Sequence, residues 1–75
     1  MTDTPEVMDV TTPAALGKAV RARRKQLKMT QEQLAMSSGI SAVTVGAIEN
    51  GKETARLGLV LQLCRDLGLR LRAGA

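Results

Sequence analysis

The sequence predicts an all-α fold, a bundle of four to five short helices followed by a short C-terminal strand. Three observations predict it. Thr12, Thr30, Ser41 and Thr54 each stand just ahead of a run of apolar residues at helical spacing, where a helix cap belongs. Gly39, Gly51 and Gly68 stand just past the ends of such runs. Only Leu69-Arg70-Leu71-Arg72 alternates with the period of two that marks a half-buried strand.

The elements follow in order. Residues 1–11 hold Pro5 and the acids Asp3, Glu6 and Asp9 without sustained periodicity, and read as a flexible N-terminal arm. Thr12 caps the first helix and Pro13 takes its first position, where a missing N–H costs nothing. Leu16, Val20 and Leu27 then form one apolar seam, while Lys18, Arg21, Lys25 and Lys28 gather on a separate basic arc. Thr30-Gln31-Glu32-Gln33 has the spacing of a capping box and opens a second helix with Leu34 and Ala35 facing inward. Ser37-Ser38-Gly39 stops that helix, because glycine tolerates the left-handed turn. Ser41 caps a third, with Val45 and Ile48 inward, and Asn50-Gly51 ends it.

Thr54 is expected to cap a fourth helix running to about Leu67. Its apolar residues Leu57, Val60, Leu61, Cys64 and Leu67, extended by Leu59 and Leu63, form an arc wider than one small core needs. Leu59 and Leu63, with Leu69 and Leu71 of the strand, are therefore expected at a dimer interface. A lone strand in a helical domain has no ladder partner and would pair with its copy in a second subunit. The expected organisation is an arm over 1–11, a folded domain over 12–68 and a dimerising tail over 69–75.

Composition bounds the function. A chain of 75 residues forms one small domain, buries a limited share of its surface and gains from a partner. Cys64 is the sole cysteine, and histidine and aromatic residues are absent, which rules out an internal disulfide and leaves no metal, haem or other cofactor site in view. Enzyme chemistry lacks its parts as well: there is no histidine base, no phosphate-binding glycine loop and no evident carboxylate pair. No apolar run approaches the roughly 18 residues of a membrane span, and the acidic start is unlike a signal peptide, so a cytoplasmic, membrane-free protein is expected. The net charge is +4, but past Val10 eleven bases face four acids, a balance of +7. Six of those bases fall between Lys18 and Lys28. The patch suits a polyanion, with Arg21 and Lys25 as candidate DNA contacts; taken alone it could equally be a solvated helix face.

Two short helices, joined at Ser37–Ile40 by a turn containing Gly39, carry the functional signal. They form a helix-turn-helix, with small Ala35 at the crossing and Ile40, Val45 and Ile48 locking the second helix so that its outer face can enter a major groove. At Thr30-Gln31-Glu32-Gln33-Leu34-Ala35, Gly39-Ile40 and Ile48-Glu49-Asn50-Gly51-Lys52, with Leu16-Gly17 and Arg24 upstream, the chain resembles the phage-repressor-like helix-turn-helix family of the lambda and Cro repressors. The resemblance spans about Leu16 to Leu67 and implies a lambda-repressor-like bundle.

It also implies roles. Gln31 would contact a DNA phosphate at the start of the second helix, although it is also a good first-turn residue. Ser41, Ala42, Val43, Thr44 and Ala47 would face the major groove. Arg24 would pair with Glu49, and Lys52 would touch the DNA backbone unless it is an ordinary exposed lysine. Two departures stand out: the recognition helix lacks the Arg, Gln or Asn that bond guanine or adenine bidentately and carries Gly46, and Lys28 occupies a turn where the family commonly has glycine.

The stretches Thr54-Ala55-Arg56-Leu57-Gly58 and Leu67-Gly68-Leu69-Arg70-Leu71 resemble a narrower group, the HipB-like antitoxins. That resemblance implies a homodimer that binds its own palindromic operator and neutralises a HipA-like kinase toxin. The expected function is a sequence-specific, autorepressing transcriptional regulator binding double-stranded DNA. The alternatives are a stand-alone phage-type repressor and a protein-binding module that has lost DNA readout.

Overall fold

The computed structural model describes residues 10–71. Four helices form among the described residues: α1 (Pro13–Gln26), α2 (Gln31–Ser38), α3 (Ala42–Glu49) and α4 (Leu57–Asp66). The expected arm falls mostly on residues 1–9, which lie outside the described residues, as do residues 72–75 of the expected tail.

Three of the four predicted caps form. The Thr12 hydroxyl accepts the Ala15 N–H at 3.0 Å, with Pro13 opening α1. Thr30 and Gln33 close a reciprocal capping box at 3.0 and 2.8 Å. Ser41 accepts the Thr44 N–H at 3.1 Å. The fourth expectation is corrected: α4 begins at Leu57 rather than after Thr54, and Arg56 occupies the cap position without a side-chain hydrogen bond. Residues 50–56 form turns instead, because the chain must travel from the end of α3 to the start of α4.

The helix stops share one device. Lys28, Gly39, Gly51 and Gly68 take left-handed φ values of 58°, 72°, 81° and 73°. The N–H of the next residue reaches back to a carbonyl five residues earlier: Met29 to Arg24, Ile40 to Ala35, Lys52 to Ala47 and Leu69 to Cys64, at 2.8–3.1 Å. Orphan helix carbonyls are satisfied in this way, and an apolar residue placed after the turn folds back onto the helix end. Met29, Ile40 and Leu69 do so, each packing on the core.

That core is aliphatic. Val20, Leu34, Ala35, Val45, Ile48, Val60, Leu63, Cys64 and Leu67 form one cluster drawn from all four helices and the α4 C-cap. At Gly17 the α1 backbone approaches α3 so closely that a Cβ would lie 2.4 Å from the Ile48 carbonyl oxygen and 2.6 Å from that of Glu49. Two cross-links hold the last helix in place. The Arg23 Nε–H donates to the Leu67 carbonyl at 2.8 Å, and the Gln62 amide donates to the Ser38 carbonyl.

Two dimer expectations need correction. Leu63 is fully buried in the chain's own core, so it offers no surface to a partner. Leu69–Leu71 form no strand within the described residues, because the Gly68 turn sends Leu69 back onto the core. The apolar surface that α4 does expose is at Leu57 and Leu61. No helix among the described residues is long and apolar enough to cross a membrane.

Candidate nucleic-acid interface

The α2–turn–α3 unit is held at its base by a buried ion pair. Arg24 projects from the last turn of α1 and grips the Glu49 carboxylate with two nitrogens, Nε to Oε2 at 2.6 Å and Nη2 to Oε1 at 3.0 Å. Its third nitrogen, Nη1, donates to the Met29 carbonyl at 2.7 Å, in the link between α1 and α2. One guanidinium thus joins α1, the entry to α2 and the end of α3. A forked geometry of this kind suits arginine and no other side chain.

Gln31 completes the network. Its Nε2 donates to Glu49 Oε1 at 3.1 Å, with the amide lying across α3 at Gly46. A Cβ on residue 46 would sit 3.4 Å from the Gln31 Oε1. The residue expected at a DNA phosphate is therefore half-buried and oriented by the ion pair, while the uncapped N–H groups of the α2 first turn remain beside it. Burial pushes the Glu49 carboxyl up. Hydrogen bonds from Arg24 and Gln31, with the charges of Arg24 and Arg21, outweigh burial and hold the carboxyl below its ordinary value. The Glu49 hydrogen bond likewise raises Arg24 above its ordinary value. Arg21 is exposed on α1. Lys25 is also exposed on α1.

The outer face of α3 is short and almost wholly apolar. Val43 is 83% exposed. Ser41 is exposed, and its hydroxyl lies 2.8 Å from that of half-buried Thr44, so the two are bonded to each other at the start of the helix. Ala47 is half-buried and borders the same face. Ala42 differs from its expected place: its methyl packs toward the core, because position 42 shares the inner side of α3 with Val45.

A shallow groove runs beside this face. Val43, Thr44 and Ala47 of α3 line it together with Lys52, Thr54 and Arg56 of the α3–α4 connection. Leu59, half-buried, also borders the groove. Thr54 and Arg56 were not expected at the site. Reading Thr54 as a helix cap hid them, and the signal that could have found them was the basic, turn-rich stretch directly after the third helix.

Comparisons with known proteins agree with this geometry. A family model described as helix-turn-helix matches residues 20–73. An uncharacterised HTH-type transcriptional regulator of Sinorhizobium fredii, y4mF, is 39% identical over 59 residues, covering 79% of this chain and 78% of the relative. The solved HipB–O4 20mer complex contains a chain that superposes with a TM-score of 0.83 at 25% identity, covering 92% of this chain and 97% of that one. The HipA–HipB–O2–O3 complex gives the same values. The restriction-modification controller protein C.AhdI of Aeromonas hydrophila superposes with a TM-score of 0.68 at 29% identity, covering 77% of this chain and 88% of its own.

Proposed function

The chain belongs to the helix-turn-helix family, and from that premise we propose that it is a transcriptional regulator of the HipB-like antitoxin type. It binds double-stranded DNA as a homodimer on a palindromic operator, represses its own operon and pairs with a HipA-like kinase toxin. We assign it no reaction of its own. One observation carries the DNA reading: α3 leaves its outer face uncovered, with Val43 83% exposed, beside the first turn of α2 and a frame of cations. Arg21, Lys25, Lys52 and Arg56 are all exposed. Phosphate contacts from such a frame fix register, while α3 meets the base edges.

The HipB-type reading rests on extent. The likeness to HipB covers 92% of this chain, whereas the likeness to the controller protein covers 77%. The exposed Leu57 and Leu61 of α4 supply the dimer contact, with exposed Leu71 as a second contribution. One observation favours a protein-binding module instead: the α3 face contains no Arg, Asn or Gln.

Fluorescence anisotropy on DNA from directly upstream of the gene, against a scrambled duplex at low and physiological salt, separates the two readings. A dimer in which each subunit neutralises four phosphates gives a slope of log K against log salt near −7, at about −0.9 per contact. A slope near −1, or equal binding to both duplexes, would favour the protein-binding module.

A further inference from the structure

The α3 face lacks the groups that read purines. Specific contact with guanine or adenine needs paired donors, or a donor beside an acceptor, presented together at the major-groove edge. Val43 and Ala47 offer only methyl groups, and the Ser41 and Thr44 hydroxyls are engaged with each other. The adjoining groove, however, is also lined by Arg56, whose planar fork matches the O6 and N7 of guanine.

Local stability does not explain an arginine at this position. Arg56 occupies the N-cap of α4, where Ser, Thr, Asp or Asn would bond the first turn, and its side chain makes no capping bond. Its positive charge also sits at the end of the helix where the macrodipole is itself positive. The residue is exposed, and no ion pair engages its guanidinium among the described residues. Lys52 and Thr54, which line the same groove, carry single-point donors without a fork.

We infer that Arg56 makes the base-specific contact in each half-site, reaching past Val43 and Thr44 to a guanine from outside the recognition helix. The contact rests on the DNA-binding reading above and adds the base it selects and the residue that selects it. Val43 then packs against the neighbouring base edges, while Lys52 remains a backbone contact.

The test selects preferred sequences from 20-base-pair duplexes with randomised centres, using the full-length protein and its Arg56→Ala and Arg56→Lys variants. Anisotropy titration then follows on the selected duplex and on versions with each G·C pair exchanged for A·T. The wild type is expected to select a guanine at one symmetry-related position per half-site. Arg56→Ala should lose that preference and weaken about tenfold or more on the guanine duplex, with little change on the exchanged one, and Arg56→Lys should not restore it. Equal weakening by Arg56→Ala on every duplex, rescued by Arg56→Lys, makes Arg56 a phosphate contact and overturns the inference. An unaltered Arg56→Ala profile overturns it too, while leaving the regulatory function intact. A wild type that selects no sequence removes the DNA-binding reading itself, and the inference falls with it. Circular dichroism confirms that each variant is folded.

Discussion

Lys28 holds a φ of 58° at the end of α1, the same left-handed turn that glycine makes after the other three helices. Its Cβ makes that conformation unfavourable by roughly 1–2 kcal/mol. Lys28→Gly is therefore expected to stabilise the domain by about 1 kcal/mol, a rise of about 4–8 °C in Tm for a chain of this size, measured by thermal circular dichroism. The opposite change at Gly17 is costly. Gly17→Ala drives a methyl into the Ile48 and Glu49 carbonyls and should destabilise by about 3 kcal/mol, the upper range for overpacking.

Arg24 and Glu49 bring pH into the same scale. Truncating Arg24 to Ala strands a buried carboxylate, at a cost of about 3–5 kcal/mol. The Glu49 carboxyl is held below its ordinary value in the folded chain, so the folded state binds fewer protons there than the unfolded one. Its stabilisation is present above the unfolded carboxyl value near pH ~4.3 and is lost as pH falls through the lower folded value. Urea titrations from pH 7 to pH 3 should show that acid loss in the wild type. Glu49→Gln should lack this portion of the pH dependence, although it is less stable at neutral pH.

At the scale of elements, α3 combines a weak helix interior with an uncrowded position. A Cβ at Gly46 meets only the Gln31 amide, at 3.4 Å and beyond. Gly46→Ala should then stabilise α3 by about 0.5–1 kcal/mol, and a chemical-denaturation midpoint that falls instead would show that the Gln31 amide cannot yield. The start and stop of each early helix were legible because their signals are local: a hydroxyl three residues ahead of the amide it accepts, or a glycine where φ turns positive. The Arg24–Glu49 pair was legible only through the family resemblance, since nothing in the spacing of residues 24 and 49 brings them together.

What failed depended on tertiary placement. Periodicity alone does not tell which side of the wide α4 arc faces the core: it allows Leu63 an outward place although the residue is buried, and the exposed positions are Leu57 and Leu61. Thr54 offered a good cap, but the connection to α4 needed two more residues, which puts Arg56 at the cap position. The period-two signal of Leu69-Arg70-Leu71 came from a helix-end turn, which sends one leucine inward and leaves Leu71 exposed.

Across the whole molecule, the described part of the chain measures 32 × 29 × 17 Å. On the proposed palindromic operator, two successive half-sites about 34–36 Å apart lie beyond the reach of a single copy of this size and require a partner. An aliphatic core of this size also leaves little stability in reserve. In the proposed dimer the two needs meet on α4: Leu57→Asp with Leu61→Asp should give a monomer in sedimentation velocity at micromolar concentration, with helical circular dichroism retained. It should also abolish the dependence of Tm on protein concentration that linked dimerisation produces. A double variant that sediments as a dimer would place the two-fold contact elsewhere on the surface.

Cys64 is the only thiol of the chain. It is buried in the core, and burial pushes the thiol's pKa up. Because the chain contains no Trp, Tyr or Phe, unfolding is silent in intrinsic fluorescence, and this sulfur becomes the natural clock in its place. A disulfide reagent reaches it only when the core opens. With reclosing fast, the labelling rate divided by that of the unfolded chain gives the equilibrium constant for opening under fully native conditions. Repeated with operator DNA present, the same rate reports how strongly binding holds the core shut, from a single atom remote from the bases being read.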